Sequence, residues 1–210
     1  MARLSMEGRA VHVLLIADGE TARLPKGGGL DAKMDGAVAH RNQAADNACR
    51  ILGCASVETL GLADNRLDGL DLLDVVRRIE AFLRRIRPTM VFTHHAGDVN
   101  VDHRVVHDAV IAACRPQSGS CVAELLFFEV PSSTEWRPPG SGIPFVPNWF
   151  VDISTTLKTK LEALLAYQDE LRAFPHPRSV KAVEALAQWR GATAGMLAAE
   201  AFMLGRKLTY

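Results

Sequence analysis

The sequence predicts an α/β fold built on a mostly parallel sheet with helices on both faces. Three observations carry this. Val11–Ala17 is an apolar and β-branched run that ends at Asp18-Gly19, as a strand buried on both faces does. Leu70, Leu73, Val76, Ile79, Leu83 and Ile86 recur every three or four residues, which is the stripe of an amphipathic helix. Strand-like and helix-like segments then alternate along the chain, the pattern of parallel strands joined by crossover helices.

The elements follow in order. After the first strand, Lys26-Gly-Gly-Gly29 reads as a flexible linker, since it has neither the spacing nor the Lys-Ser/Thr of a phosphate loop. Val38–Leu52 has helical spacing, with Ala45, Ala48, Ile51 and Leu52 on one side and Gly53 as a C-cap. Val57–Leu62 is a short strand. The helix that ends at Ile86 is stopped by Pro88, and its arginines form a solvated face and partners for the C-terminal dipole. Thr89–Thr93 is the next strand, and Asp102 opens a helix to about Cys114. Glu124–Val130 is strand-like, and 131–147, rich in Pro, Gly and Ser, is a long surface loop. Trp149 and Phe150 run into Val151 as core residues. Helices over roughly 154–172 and 179–203 finish the chain, separated by Pro175-His-Pro177. No repeat interrupts this plan, and 1–210 reads as a single domain.

Composition excludes several classes. Lys+Arg and Asp+Glu number 24 each in 210 residues, so the basic excess of a nucleic-acid binder is missing. No apolar run reaches the ~18 residues of a membrane span, and the N-terminus has no apolar signal core. The four cysteines (Cys49, Cys54, Cys114, Cys121) form no CxxC pair and read as small core residues, which makes a cytoplasmic setting the expectation.

The chemistry concentrates in Thr93-His-His-Ala-Gly-Asp-Val-Asn-Val-Asp-His103, followed by His107. In a parallel α/β sheet, ligands bind at the carboxyl ends of strands. Here that loop carries His94, His95, Asp98, Asn100, Asp102 and His103. Imidazoles and carboxylates together suit a cation such as zinc. Any one of these residues alone reads as an ordinary loop residue or, for Asp102, a helix cap; three His and two Asp within ten residues of one strand end point to a site. His103 and His107 are spaced for a metal on one helix face, but Arg104-Val105 follow His103, so the HExxH glutamate of a metalloprotease is absent.

The stretch Arg87-Pro-Thr-Met-Val-Phe-Thr-His-His-Ala-Gly-Asp-Val-Asn-Val-Asp-His-Arg-Val-Val-His107 resembles the second signature of the PIG-L/LmbE-like sugar deacetylases. Gly8–Glu20, Arg41–Gly53, Leu60–Asp64, Phe174–Ser179 and Trp189–Phe202 extend the resemblance over almost the whole chain. It implies a Rossmann-like three-layer fold and a zinc amidase, in which metal-bound water attacks the acetamide carbonyl and an acid protonates the leaving amine. His103 matches the family's metal-ligating histidine. Asp102 matches the carboxylate before it, which tunes a neighbouring histidine. Asn100 stands where many relatives carry an oxyanion-stabilising histidine; an amide brings no positive charge, so His95 or His94 is the candidate to take over that role. Arg41 and Asp64 match positions that contact sugar hydroxyls. Asp98, Glu129 at the end of an apolar strand, and His176 between two prolines are further substrate-binding candidates. The implied partner is an N-acetylated sugar or glycoconjugate of GlcNAc type, with homo-oligomerisation possible.

The family opens with a strand ending in His-Pro-Asp-Asp, which supplies two metal ligands and the base. No His-Pro-Asp occurs here, and Met1–Gly8 resembles the tail of the helix that follows that strand. A catalytic zinc site takes three protein ligands, and one position matches. The expectations are therefore a chain lacking the family's first strand, a start that lies upstream, and a zinc site incomplete in these residues. The alternative function is a catalytically inactive sugar- or nucleotide-binding relative.

Overall fold

The computed structural model describes residues 1–23 and 31–209; the glycine-rich linker at 26–29 lies outside them. The chain divides into two compact units, Met1–Arg66 with Asp152–Ala199, and Leu67–Val151 with Glu200–Tyr210.

The first unit begins with a short helix α1 (Ala2–Met6), closed by Gly8 at φ 76°. Strand β1 (His12–Ala17) follows, then helix α2 (Asp31–Leu52) and strand β2 (Ser56–Leu62). β1 and β2 pair in parallel, with His12 opposite Ser56 and Leu15 opposite Thr59. Helix α2 starts at Asp31, earlier than its apolar spacing indicates, and buries Ala44, Ala45, Ala48 and Cys49. Helices α5 (Leu157–Leu165) and α6 (Val180–Ala192) complete this unit, and α5 packs on α2.

The second unit holds helix α3 (Leu72–Ile86), strand β3 (Met90–His94), helix α4 (Val101–Ala113) and strands β4 (Glu124–Phe128), β5 (Trp149–Asp152) and β6 (Ala199–Lys207). Asp71 caps α3 by accepting the Leu73 amide at 2.9 Å, and Arg87 ends it in the left-handed region at φ 51°. Val75, Val76 and Ile79 are its buried stripe, and α3 packs on α4. The sheet runs β3-β4-β6-β5. β3 and β4 are parallel, in register from Met90–Glu124 to His94–Phe128, whereas β6 is antiparallel to β4. Leu125, Leu126 and Phe202 lie buried within it.

Four expectations need correction. The sheet of the second unit is mixed rather than mostly parallel. β1 and β3 are edge strands, each with one strand neighbour among the described residues, whereas an apolar run such as β1 is expected inside a sheet. α5 is shorter than 154–172; a separate 3-10 turn covers Gln168–Glu170. The last helix stops at Ala192 and Ala199–Lys207 is a strand. Ala-Glu-Ala-Phe-Met-Leu favours a helix by composition, but pairing with β4 overrides that preference. The reversal needs two glycines. Gly195 takes φ 74°, and a side chain at Gly191 would meet the backbone of Met196 and Ala198 at 2.7 Å.

Candidate functional site

His94 closes β3, and α4 begins seven residues later at Val101; the intervening loop is held by its own side chains. Asn100 is the N-cap of α4 and accepts the Asp102 amide at 2.8 Å. Asp98 accepts the Asn100 amide, also at 2.8 Å. Gly97 is forced by space, because a Cβ there would fall 1.9 Å from the Ile143 carbonyl oxygen. That same oxygen accepts from His95 Nε2 at 2.8 Å. His95 is 2% exposed and packs edge-on to Phe145, so it ties the 143–145 segment to the loop.

Asp98 is fully buried, at 0% exposure, and it is the hub of the site. Its carboxylate accepts from the Ser133 hydroxyl, from Thr134 Oγ1 at 2.8 Å and from His103 Nδ1 at 3.2 Å, besides the Asn100 amide. Burial by itself would raise its pKa, but these hydrogen bonds and the imidazole of His103 hold the carboxyl well below the usual carboxylate range. His103 stands in the first turn of α4 with 21% of its side chain exposed. With Nδ1 engaged by a carboxylate, Nε2 is the ring nitrogen left for another partner.

His94 stacks on His103, ring centroids 4.2 Å apart and planes within 20°, and tilts against Phe128. Its Nδ1 is buried with no hydrogen-bond partner. Burial, reinforced by His103 and His107, pushes its pKa down to about 3 against the opposing pull of Asp98, so the ring is neutral at neutral pH. His107 Nδ1 donates to the His94 carbonyl oxygen at 2.8 Å. Asp102 is buried and accepts the Leu67 amide at 3.0 Å. Glu129 follows β4 directly and is half-buried.

The remaining candidates lie in the first unit. Arg41 reaches Glu170 at 2.5 Å and sits 5.1 Å over the Tyr167 ring. Arg178 meets the other oxygen of Glu170 at 2.9 Å, and its amide donates to His176 Nδ1 at 3.1 Å. The Asp18 carboxylate collects the amides of Glu20, Thr21 and Asp64. Gly19, at φ 72°, lets the backbone approach Arg41, whose Nε would lie 3.1 Å from a Cβ. Asp18, Glu170, Ser133 and Thr134 were not among the residues that the sequence singled out.

Among the described residues, no three His, Cys, Asp or Glu side chains come together to hold a metal. His94 and His103 do not make a pair of ligands as placed. The in-plane lone pairs of nearly parallel rings run side by side, and an ion ~2.0–2.1 Å from each nitrogen needs them to converge. Asp98 is filled by four donors, and His95 and His107 each commit a ring nitrogen to a carbonyl. The described residues therefore do not fit a catalytic zinc.

The family model for PIG-L, GlcNAc-PI de-N-acetylase, matches residues 1–114, more than half of the chain. The chain belongs to the PIG-L family. The uncharacterized deacetylase YaiS of Escherichia coli (strain K12) is 28% identical over 170 residues, 78% of each protein. The structure resembles that of GalB, the 4-carboxy-2-hydroxymuconate hydratase of Pseudomonas putida KT2440, with a TM-score of 0.75 and 21% identity over 100% of this chain and 89% of that one. It also resembles N,N'-diacetylchitobiose deacetylase of Pyrococcus horikoshii, with a TM-score of 0.73 and 17% identity over 98% and 76%. Family membership brings deacetylation of an acetylated sugar as the family-level activity. The two solved structures show a shared fold, and one of them is a hydratase, so the reaction of this PIG-L chain has to be argued from its site.

Proposed function

We propose that this 210-residue PIG-L chain recognises an N-acetylated sugar or glycoconjugate of GlcNAc type without hydrolysing it. The observation that carries the reading is the donor set: a single imidazole, His103, is arranged as a ligand, and no trio of metal-binding side chains surrounds it among the described residues. Without those ligands, zinc is absent or weakly held, and the family's hydrolytic step has no support.

Arg41, Asp64 and His176 belong to the first unit, where Arg41 is braced by Glu170, and their contact with sugar hydroxyls rests on the family resemblance alone; the recognition proposed here concerns the residues of the second unit. Glu129 contributes from the end of β4. Asn100 spends its amide oxygen on capping α4 and has its NH2 group to offer an acetyl carbonyl, and the neutral His94 is the better placed of the two adjacent histidines to help. His95 holds the loop instead, and Asp98 acts through His103 rather than on the sugar. All four cysteines are free thiols, which suits the cytoplasmic setting in this reading. No helix among the described residues is long and apolar enough to cross a membrane.

A second reading, hydrolysis with the further ligands supplied from outside these residues, is favoured by one observation. The buried Asp98 engages His103 Nδ1 and leaves Nε2 for a metal, the arrangement of carboxylate–histidine–metal sites. Titration of isotopically labelled protein with N-acetylglucosamine and N,N'-diacetylchitobiose, with acetate release followed in parallel, separates the two. The proposal expects saturable shifts at residues 94–103 and no acetate. Acetate release selects the second reading, and the absence of any shift removes the first.

A further inference from the structure

We propose that Ser133 and Thr134 are positioning residues for His103: acting through Asp98, they fix which ring nitrogen of His103 faces the site. Each carboxylate oxygen of Asp98 receives two donors. Oδ1 takes the Ser133 hydroxyl and the Asn100 amide, the latter at 2.8 Å. Oδ2 takes Thr134 Oγ1 at 2.8 Å and His103 Nδ1 at 3.2 Å. A carboxylate held from four directions only accepts, so the proton on the His103 ring stays on Nδ1 and Nε2 presents its lone pair.

The direction of the Thr134 hydroxyl is itself fixed. Its oxygen accepts the Val130 amide at 2.8 Å, so its one proton goes to Asp98. The turn is tied down a second time by the Glu135 carboxylate, which accepts the amides of Ser132 at 2.6 Å and Ser133 at 3.2 Å. Ser133 Oγ also lies 3.4 Å from His103 Nδ1, so this hydroxyl touches both members of the pair it aligns. A segment thirty residues further along the chain thus sets the chemistry of a helix residue. The inference concerns the same site as the proposed function, but it needs neither sugar nor metal to be tested.

The test is the tautomer of His103, read by long-range nitrogen–proton NMR on the full chain with labelled histidine, above the pH at which imidazoles charge. Wild-type His103 is expected as the Nδ1–H form. Asp98→Ala removes the acceptor and should turn His103 largely to the Nε2–H form. Ser133→Ala with Thr134→Val should raise the Nε2–H fraction on the order of fivefold, the weight of roughly one hydrogen bond. Ser133→Thr, which keeps the hydroxyl, should restore the wild-type ratio. His107, whose Nδ1 donates to the His94 carbonyl, is the internal control and should not change. If the double variant does not fold, the single variants decide, each with a smaller shift in the same direction. A wild-type His103 in the Nε2–H form overturns the inference, as does an unchanged ratio in folded variants lacking the hydroxyls. Loss of sugar binding with the tautomers as expected would instead remove the proposed function alone.

Discussion

Strands β1 and β3 are both short apolar runs joined to a parallel neighbour, yet the sheets they belong to differ in size. All six residues of β1 are half-buried, and its sheet contains two strands among the described residues. β3 sits in a sheet of four, where Thr93 is buried and its neighbour β4 holds Leu125 and Leu126 at 2% and 1% exposure. A two-stranded parallel ladder gains little stability alone, because parallel strands depend on further strands and on cover over both faces. Similar local sequence therefore produces unequal support, and the polar cluster grows from the better supported strand. A site whose hydrogen bonds must hold within a few tenths of an ångström needs that rigidity beneath it.

The largest expected effect follows from this contrast. Leu126→Ala should cost ~2–5 kcal/mol by leaving a cavity in the four-stranded sheet, whereas Leu14→Ala in β1 should cost less than about 1.5 kcal/mol, since a half-buried side chain forfeits only part of its transfer free energy. Denaturant midpoints of both variants measure it; equal losses would break the comparison.

A second prediction sharpens it from the first unit. Glu170 has 13% of its side chain exposed and serves both Arg41 and Arg178. Glu170→Ala leaves two guanidinium groups facing each other, and roughly 1–2 kcal/mol of stability should go, between the values for exposed and fully buried pairs. Glu170→Gln should recover part of it. No change in denaturant midpoint would mean that solvent screens the cluster.

How much of this was legible in the sequence depends on how local the cause is. β1, β2, α3, β3 and β4 follow from apolar runs and a 3.6-residue stripe, and they stand where those patterns put them. The loop after β3 was legible as a site because residue types with metal and proton chemistry crowd into it. Its wiring was not. Ser133 and Thr134 lie in a Pro-Gly-Ser-rich loop and look like ordinary turn residues; only the fold brings them to Asp98. Asp98 reads in the sequence as a substrate-binding candidate; that it is fully buried and gathers four donors is visible only in the fold. β6 failed for the opposite reason, since its composition favours a helix and a distant strand decided otherwise. Glu170 shows the same limit, because half of its value lies in Arg41, remote in sequence, the other half being Arg178 eight residues on.

A smaller effect is pH-dependent. The folded pKa of His94 is pushed down to about 3, whereas the unfolded chain takes up the proton near the usual ~6.5. The unfolded state thus binds more protons in this window, and stability falls as pH drops from about 6.5 toward 3. His94→Asn should flatten that slope, measured as denaturant midpoints at pH 7 and pH 5. An identical slope in both proteins would show that His94 is not buried neutral.

The central claim is that the residues described here supply one ligand-like imidazole and not a zinc site. Its most direct test is the metal content of the purified chain after equilibration with equimolar zinc and gel filtration, measured beside His103→Ala. The account predicts well under one zinc per chain, with what little remains lost in the variant. One tightly retained zinc per chain would contradict it, and would mean that ligands come from side chains placed here in other roles.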